Sequence, residues 1–110
     1  MRNILALSII INAITNFTFA QSKVFDNLTM NSEILDMERN YSVYLPPDYE
    51  TSSRSYPVLY LLHGLGDDHT GWVQFGEVKK IADNSILNGD ATPMIIIMPD
   101  ANTGYVGYIN

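Results

Sequence analysis

A histidine followed by two closely spaced glycines, His63-Gly64-Leu65-Gly66, ends a short apolar run and is the pattern most suggestive of chemistry. The run, residues 56–62, is rich in Val, Leu and Tyr and is bounded by Pro and Gly, which favours a buried strand. Glycines on both sides of Leu65 let the backbone turn sharply and approach a ligand closely. A main-chain N–H in such a turn can stabilise a developing negative charge, so the pattern predicts half of an active site.

The other half of such a site, an activated nucleophile, has no matching context in the 110 residues. No serine lies in a Gly-x-Ser-x-Gly sequence, and the sequence contains no cysteine. A serine hydroxyl reacts at neutral pH only when a histidine takes its proton and an acid orients that histidine. These residues therefore predict a loop that stabilises charge without the groups that start a reaction.

The first twenty residues have the composition of a secretory signal peptide. Arg2 precedes an apolar stretch from Ile4 to Ile14, and Thr18 and Ala20 are the small residues that predict cleavage after Ala20. Polar residues interrupt the stretch, which suits a cleaved signal better than a bilayer span of about 20 apolar residues. A retained N-terminal anchor is the alternative. We expect cleavage, and hence a secreted or periplasmic protein without a stable membrane anchor.

Charge and cysteine content narrow the possible partners. Removing Arg2 with the signal changes the formal net charge from −6 to −7, and the remaining basic residues are few and scattered. Nucleic-acid or anionic-membrane binding needs clustered Lys and Arg, so both are excluded as partners. Without cysteine no disulfide can stabilise the mature chain, and a chain of this size buries only about two-thirds of its unfolded surface.

Two alternating stretches within residues 22–45 predict a pair of antiparallel strands. We expect the turn between them at Asn31-Ser32, and the spacing of Tyr41, Val43 and Leu45 predicts that this face packs on a core.

The next segments predict a strand, a helix and a second strand. Residues 58–62 form the first, buried strand, and residues 72–87 form an amphipathic helix that stops at Asn88-Gly89. The predicted buried face of that helix comprises Val78, Ile81, Ala82 and Ser85. Residues 94–98 show no alternation, which predicts a parallel strand buried on both faces. Ligands in such sheets bind beyond the carboxyl ends of strands, which here are the loops that begin at His63 and Pro99.

Five segments in a fixed order carry a family resemblance. They are residues 41–49 (YSVYLPPDY), 56–66 (YPVLYLLHGLG), Gly71-Trp72, 81–84 together with Gly89, and 93–102 (PMIIIMPDAN). Together they resemble the putative-esterase branch of the α/β-hydrolases, which includes feruloyl and acetyl xylan esterases, esterase D and mycolyltransferases. The resemblance implies an α/β fold with antiparallel first strands followed by a parallel strand-helix-strand unit. It also implies that residues 21–110 are the incomplete N-terminal part of an esterase domain.

The same resemblance implies roles for the loop after the first parallel strand. In the family the residue after His-Gly, here Leu65, gives a backbone N–H to the oxyanion hole, and Gly64 belongs to the same loop. His63 and Gly66 brace this loop; a catalytic base is the alternative role for His63. The nucleophilic serine, the acid and the catalytic histidine lie further along a family domain, and none of them is in this sequence.

Three further residues are candidates for contact with substrate. Trp72 lines the cleft or packs under the loop, and Asp100 and Asn102 either bind ligand or cap the strand that they follow. Two tyrosines near the end of the sequence, Tyr105 and Tyr108, have two alternative roles. They either stack on an aromatic or sugar ring or are ordinary loop residues.

A metal site is the alternative reading of three adjacent residues, Asp67, Asp68 and His69. Adjacent loop side chains seldom converge on one ion without further ligands. We therefore predict a solvated loop here, and neither a metal site nor a cofactor.

The function that the resemblance implies is an exported serine esterase acting on carboxylic esters, for example acyl or feruloyl groups on a polysaccharide. Its substrate would be a small-molecule or polysaccharide-linked ester, and the 110 residues alone are expected to be inactive. One alternative is a truncated, non-catalytic secreted remnant or binding protein, motivated by the missing nucleophile. Another is an acyltransferase of the same fold, which transfers the acyl group to an alcohol in place of water.

Overall fold

The structure is a computed structural model that describes residues 20–102. The predicted signal peptide up to residue 19 and the two tyrosines of the tail, Tyr105 and Tyr108, lie outside the described residues. The described residues form one four-stranded mixed sheet and two helices, and the strands lie in the order β1-β2-β4-β3. The elements are β1 (Lys23–Ser32), β2 (Met37–Leu45), β3 (Val58–Tyr60), α1 (Gly71–Gln74), α2 (Val78–Leu87) and β4 (Ile95–Pro99).

The first two strands form the predicted antiparallel pair, with Val24 opposite Tyr44. The predicted turn at Asn31-Ser32 is wrong, because both residues belong to β1 and the turn occupies residues 33–36. Asp36 supplies the positive φ that this turn needs, 47°, and aspartate tolerates that conformation better than most residues. The Ser32 hydroxyl accepts the N–H of Leu35 at 3.3 Å and fixes the start of the turn.

The strand-helix-strand order is confirmed, and its two strands are parallel. Val58 of β3 lies opposite Ile95 of β4, and the pairing continues beyond β3 because the N–H of Leu61 donates to Ile97 O at 2.9 Å. On its other side β4 pairs antiparallel with β2. Strand β4 therefore joins the hairpin to β3, and the sheet combines both kinds of pairing.

The helical segment is broken where one continuous helix was predicted. At the break the backbone of residue 76 lies against the ring of Trp72. Glycine permits this close approach, because a Cβ at this position would lie 2.5 Å from that ring. Glu77 then takes a positive φ of 47° at the start of α2. The predicted stop is confirmed, since α2 ends at Leu87 and Gly89 takes a φ of 79°, which glycine adopts without strain.

The hydrophobic core lies on one face of the sheet, where α2 packs. Its buried members are Tyr44, Val78, Ile96 and Met98. The predicted core face of β2 is wrong in part: the face that α2 covers carries Tyr44, whereas on the predicted face only Val43 is buried and Tyr41 and Leu45 are half-buried. The predicted face of α2 is wrong in part: Ala82 and Ile86 pack on this core, whereas Ile81 is largely exposed.

The opposite face of the sheet is apolar and open among residues 20–102. It forms a concavity of about 540 Å³ lined by Phe25, Leu28, Tyr41, Val43, Leu45, Tyr49, Val58, Tyr60, Ile95 and Ile97. Strand β3 was predicted to be buried, and β4 to be buried on both faces. Neither is found: Tyr60 is 67% exposed, and burial alternates along β4. The reason is that the described core helix, α2, packs on the Tyr44 face only.

A hydrogen bond from the core to the helix fixes α2 on the sheet. Tyr44 is 0% exposed, and its hydroxyl donates to Asp83 Oδ1 at 2.9 Å. Burial and this hydrogen bond to a carboxylate both raise the pKa of Tyr44. Burial alone would raise the pKa of Asp83, but hydrogen bonds, among them those from Lys79 and Tyr44, outweigh it and lower that pKa. The pair therefore stays a neutral donor and a charged acceptor at neutral pH.

Replacing Tyr44 by Phe removes this hydrogen bond and keeps the ring in the core. We expect the free energy of unfolding to fall by about 1 kcal/mol, the net value of a typical buried hydrogen bond. Tyr60→Phe is the matched control, since it removes the same atom from an exposed ring. Urea unfolding of the three proteins measures the difference, and equal midpoints for all three would contradict this role of Tyr44.

Candidate functional site

The loop after β3 contains a tight turn with an exposed leucine at its tip. The N–H of Asp67 donates to Gly64 O at 3.2 Å, and Gly66 has a φ of 77°. This combination is typical of a type II turn, in which Leu65 and Gly66 are the central residues. Leu65 is 85% exposed, and within residues 20–102 its N–H donates to no backbone oxygen. The turn therefore presents one main-chain donor at the carboxyl end of β3.

The two glycines that flank Leu65 have different conformations. Only Gly66 has a positive φ, whereas Gly64 adopts a conformation open to other residues. A Cβ at either position would meet no atom within 4 Å. The backbone conformation thus favours glycine at position 66 and not at position 64. Both positions leave open space beside the turn.

His63 is buried beneath this turn and links it to the loop after β4. Its side chain is 1% exposed, with Nδ1 2.8 Å from Gly64 O and Nε2 3.1 Å from the backbone N of Ala101. Because Nε2 accepts the N–H of Ala101, we assign the ring proton to Nδ1, which donates to Gly64 O. Both ring nitrogens are thus engaged in holding loops, an arrangement that disfavours the alternative of a catalytic base.

The two candidates after β4 use their side chains to hold the same loops. Asp100 Oδ1 accepts the N–H of Asn102 at 2.8 Å and lies 3.8 Å from His63 Nε2. The side-chain amide of Asn102 donates to Asp67 O at 3.1 Å, at the far end of the turn. The structure therefore brings Asp100 and Asn102 together with the turn, as the positions of strand ends predict.

Trp72 connects α1 to the end of the β3 segment. Its indole N–H donates to Leu62 O at 2.9 Å, and about a third of the side chain remains exposed. Gly76 lies directly against the indole ring. Trp72 thus packs under the loop through one part of its ring and presents another part to solvent.

The three adjacent residues after the turn have separate environments. A Cβ at Gly71 would lie 2.0 Å from the carboxylate of Asp67, so that carboxylate packs against the start of α1. Asp68 Oδ1 accepts the hydroxyl and the N–H of Thr70, at 2.6 and 2.7 Å, and these hydrogen bonds lower the pKa of Asp68. His69 Nδ1 lies 3.9 Å from the same oxygen. Across residues 20–102 no group of three or more His, Cys, Asp or Glu side chains could hold a metal ion.

Two residues at this edge of the sheet were missed from the sequence. Ser42 is fully buried, and its hydroxyl donates to His69 O at 2.7 Å, which attaches the loop to β2. Arg39, also on β2, donates to the carbonyl oxygens of Asp100 and Asn102. Nothing in the sequence around Arg39 or Ser42 indicates these roles, because both side chains act on main-chain oxygens that are distant in sequence.

The described part of the chain also limits what the site can do by itself. No serine hydroxyl in it donates to a histidine ring; that of Ser42 donates to the main-chain oxygen of His69. Separately, no helix within residues 20–102 is long and apolar enough to cross a membrane. The described arrangement therefore presents a main-chain donor, the Leu65 N–H, without a serine–histidine pair beside it.

Alanine at Gly66 should destabilise the fold, because the side chain would be forced into a left-handed conformation. We expect a loss of about 1 kcal/mol in the free energy of unfolding. Gly64→Ala is the matched control, since it has the same open surroundings and no positive φ. Urea unfolding that gives equal losses for both variants would contradict the assigned turn.

The sequence matches the model of a family described as Putative esterase over residues 32–107. It is 37% identical over 75 residues to an endo-1,4-beta-xylanase/feruloyl esterase of Xylanibacter ruminicola, an alignment that covers 64% of this chain and 10% of the relative. It is 42% identical over 67 residues to Esterase Rv1288 of Mycobacterium tuberculosis, with 61% of this chain and 13% of the relative covered.

Solved structures share the fold. A ferulic acid esterase superimposes with a TM-score of 0.70 and 41% sequence identity, over 74% of this chain and 31% of the other. The chain thus spans about a tenth of the relatives' length and about a third of this structure. The matched region holds the turn, the buried histidine and the loop after β4, and it corresponds to an N-terminal portion of such an esterase domain. The chain belongs to the putative esterase family of the α/β-hydrolases.

Proposed function

We propose that the protein containing these residues is an exported serine esterase that hydrolyses carboxylic esters through an acyl-enzyme. The observation that carries this proposal is the N–H of Leu65, which donates to no backbone oxygen within residues 20–102. It is presented by an exposed turn that a buried histidine anchors from below. Family membership supports ester hydrolysis as the reaction class. Export is proposed from the sequence of residues 1–20, with cleavage after Ala20.

The proposed reaction divides the work between this chain and groups outside the described residues. A serine hydroxyl attacks the ester carbonyl while a histidine takes its proton, and the carbonyl oxygen becomes an oxyanion. The Leu65 N–H donates to that oxyanion, in a loop that includes Gly64. Collapse of the intermediate releases the alcohol, which takes the proton from the histidine, and leaves the acyl group on serine. Water then attacks the acyl-enzyme by the same route and releases the acid.

The proposed substrate is an aromatic or acetyl ester, either small or linked to a polysaccharide. Relatives named feruloyl esterase and ferulic acid esterase support an aromatic acyl group. Trp72 is the proposed contact for such a group, because part of its ring is exposed beside the loop. Asp100 and Asn102 are the proposed polar contacts, at the loop that His63 joins to the turn.

Ester hydrolysis by the complete protein tests this proposal. We expect it to hydrolyse p-nitrophenyl acetate and methyl ferulate and to lose that activity on labelling by a fluorophosphonate. A purified chain of residues 21–110 should hydrolyse neither ester, because it contains no Gly-x-Ser-x-Gly serine. Activity of the short chain, or labelling of one of its serines, would contradict the proposed division of roles. Ester products formed with an added alcohol acceptor would favour acyl transfer over hydrolysis.

Proline at position 65 tests the N–H of Leu65 directly. Proline is favoured at the first central residue of a type II turn, so Leu65→Pro removes the donor and preserves the backbone. We expect kcat to fall by about 10²- to 10³-fold, the usual effect of losing one oxyanion donor. Leu65→Ala is the matched control, because the side chain is exposed and the N–H is kept. A folded L65P protein with the kcat of L65A would exclude the Leu65 N–H from the oxyanion hole.

A further inference from the structure

We infer that Arg39 is a positioning residue for the proposed reaction, and that it acts through the main chain of the loop after β4. This inference rests on the proposed function, since it concerns the loop that would face the substrate. No segment of the family resemblance includes Arg39, and within residues 20–102 its guanidinium bonds to Met37, Asp100 and Asn102 and not to the turn. Its effect on the turn is transmitted through two loops and the ring of His63.

The guanidinium of Arg39 binds two carbonyl oxygens of one short segment. Nη1 donates to Asn102 O at 2.7 Å, and Nη2 donates to Asp100 O. Arginine presents these donors in a rigid planar fork, so the two bonds fix both the distance and the orientation of the segment. The N–H of Asp100 in turn donates to Asn40 O at 3.0 Å. Strand β2 therefore holds the start of this loop twice, through the main chain of Asn40 and through the side chain of Arg39.

The residue between the two bound carbonyls is the one that holds His63. Ala101 donates its N–H to His63 Nε2, and the other ring nitrogen bonds to Gly64 O at the base of the turn. Asn102 also reaches the far end of the turn, through its side chain and Asp67 O. Both ends of the turn are therefore attached to residues 100–102, and Arg39 orients those residues from the neighbouring strand.

The geometry of the guanidinium is what this role requires. Both partners are main-chain carbonyl oxygens. One positive charge would attract them without fixing their positions, whereas two donors a fixed distance apart hold both oxygens in place. Lysine would keep the charge and lose the fork. A small displacement of the Ala101 N–H would move the His63 ring and with it the Leu65 donor, and misplacement by about 1 Å can reduce a rate about 10²-fold.

Arg39→Lys and Arg39→Gln in the complete protein test this inference, with Arg54→Lys as the control. Arg54 is an exposed arginine that pairs with Asp48, and it precedes β3, whereas the turn follows that strand. We expect kcat for p-nitrophenyl acetate to fall at least tenfold in both Arg39 variants and to stay unchanged in R54K. Urea midpoints, measured alongside, show whether each variant is folded.

The NMR signals of the loop provide a readout that needs no activity. In the parent protein the ¹⁵N shifts of His63 should show a protonated Nδ1 and an accepting Nε2. Both the ring signals and the Ala101 amide should shift in R39K and stay fixed in R54K. An active parent protein whose R39K and R39Q variants keep its kcat would overturn the inference, whatever the NMR signals do. An inactive parent protein would contradict the proposed function, and unshifted Ala101 and His63 signals in R39K would then overturn the positioning role separately.

Discussion

A buried imidazole that joins two loops is the interaction on which the candidate site depends. His63 accepts from the loop after β4 through Nε2 and donates to the turn after β3 through Nδ1. Parallel pairing of β3 with β4 places the two loops at one edge, but pairing alone does not fix their distance. The ring supplies that distance, and burial protects both hydrogen bonds from competition with water. The exposed Leu65 donor therefore stands on a rigid base.

Within the described residues one face of the sheet is covered by a helix and the other is open. One face is closed by α2, with Tyr44 bonded to Asp83 at the contact. The other is an open apolar concavity, and its lining residues would normally be covered in a stable protein. The described residues align with about a third of a related structure. This agrees with the open face, because the described elements are one helical layer and part of a sheet.

Local patterns predicted the parallel unit and the two loops that it brings together, but not the turn of the hairpin or the covered face. Apolar runs that end at Gly or Pro located β3 and β4, and Asn88-Gly89 ended α2 where a left-handed glycine is available. The core face of β2 was mispredicted in part, because alternation favours the face of Tyr41, Val43 and Leu45. The face that α2 covers carries Tyr44, whose neighbours on that face, Asn40 and Ser42, are polar. Arg39 and Ser42 were missed because their partners are main-chain oxygens brought close only by folding.

The N–H of Leu65 is the proposed donor to the oxyanion of the reaction. The most direct measurement is the amide spectrum of the complete protein before and after stoichiometric reaction with a fluorophosphonate, whose phosphoryl oxygen occupies the oxyanion position. We expect the Leu65 amide proton to move downfield and to become protected from exchange, because the phosphoryl oxygen of the labelled serine accepts a hydrogen bond from it. An unmoved Leu65 amide in the fully labelled protein would contradict it.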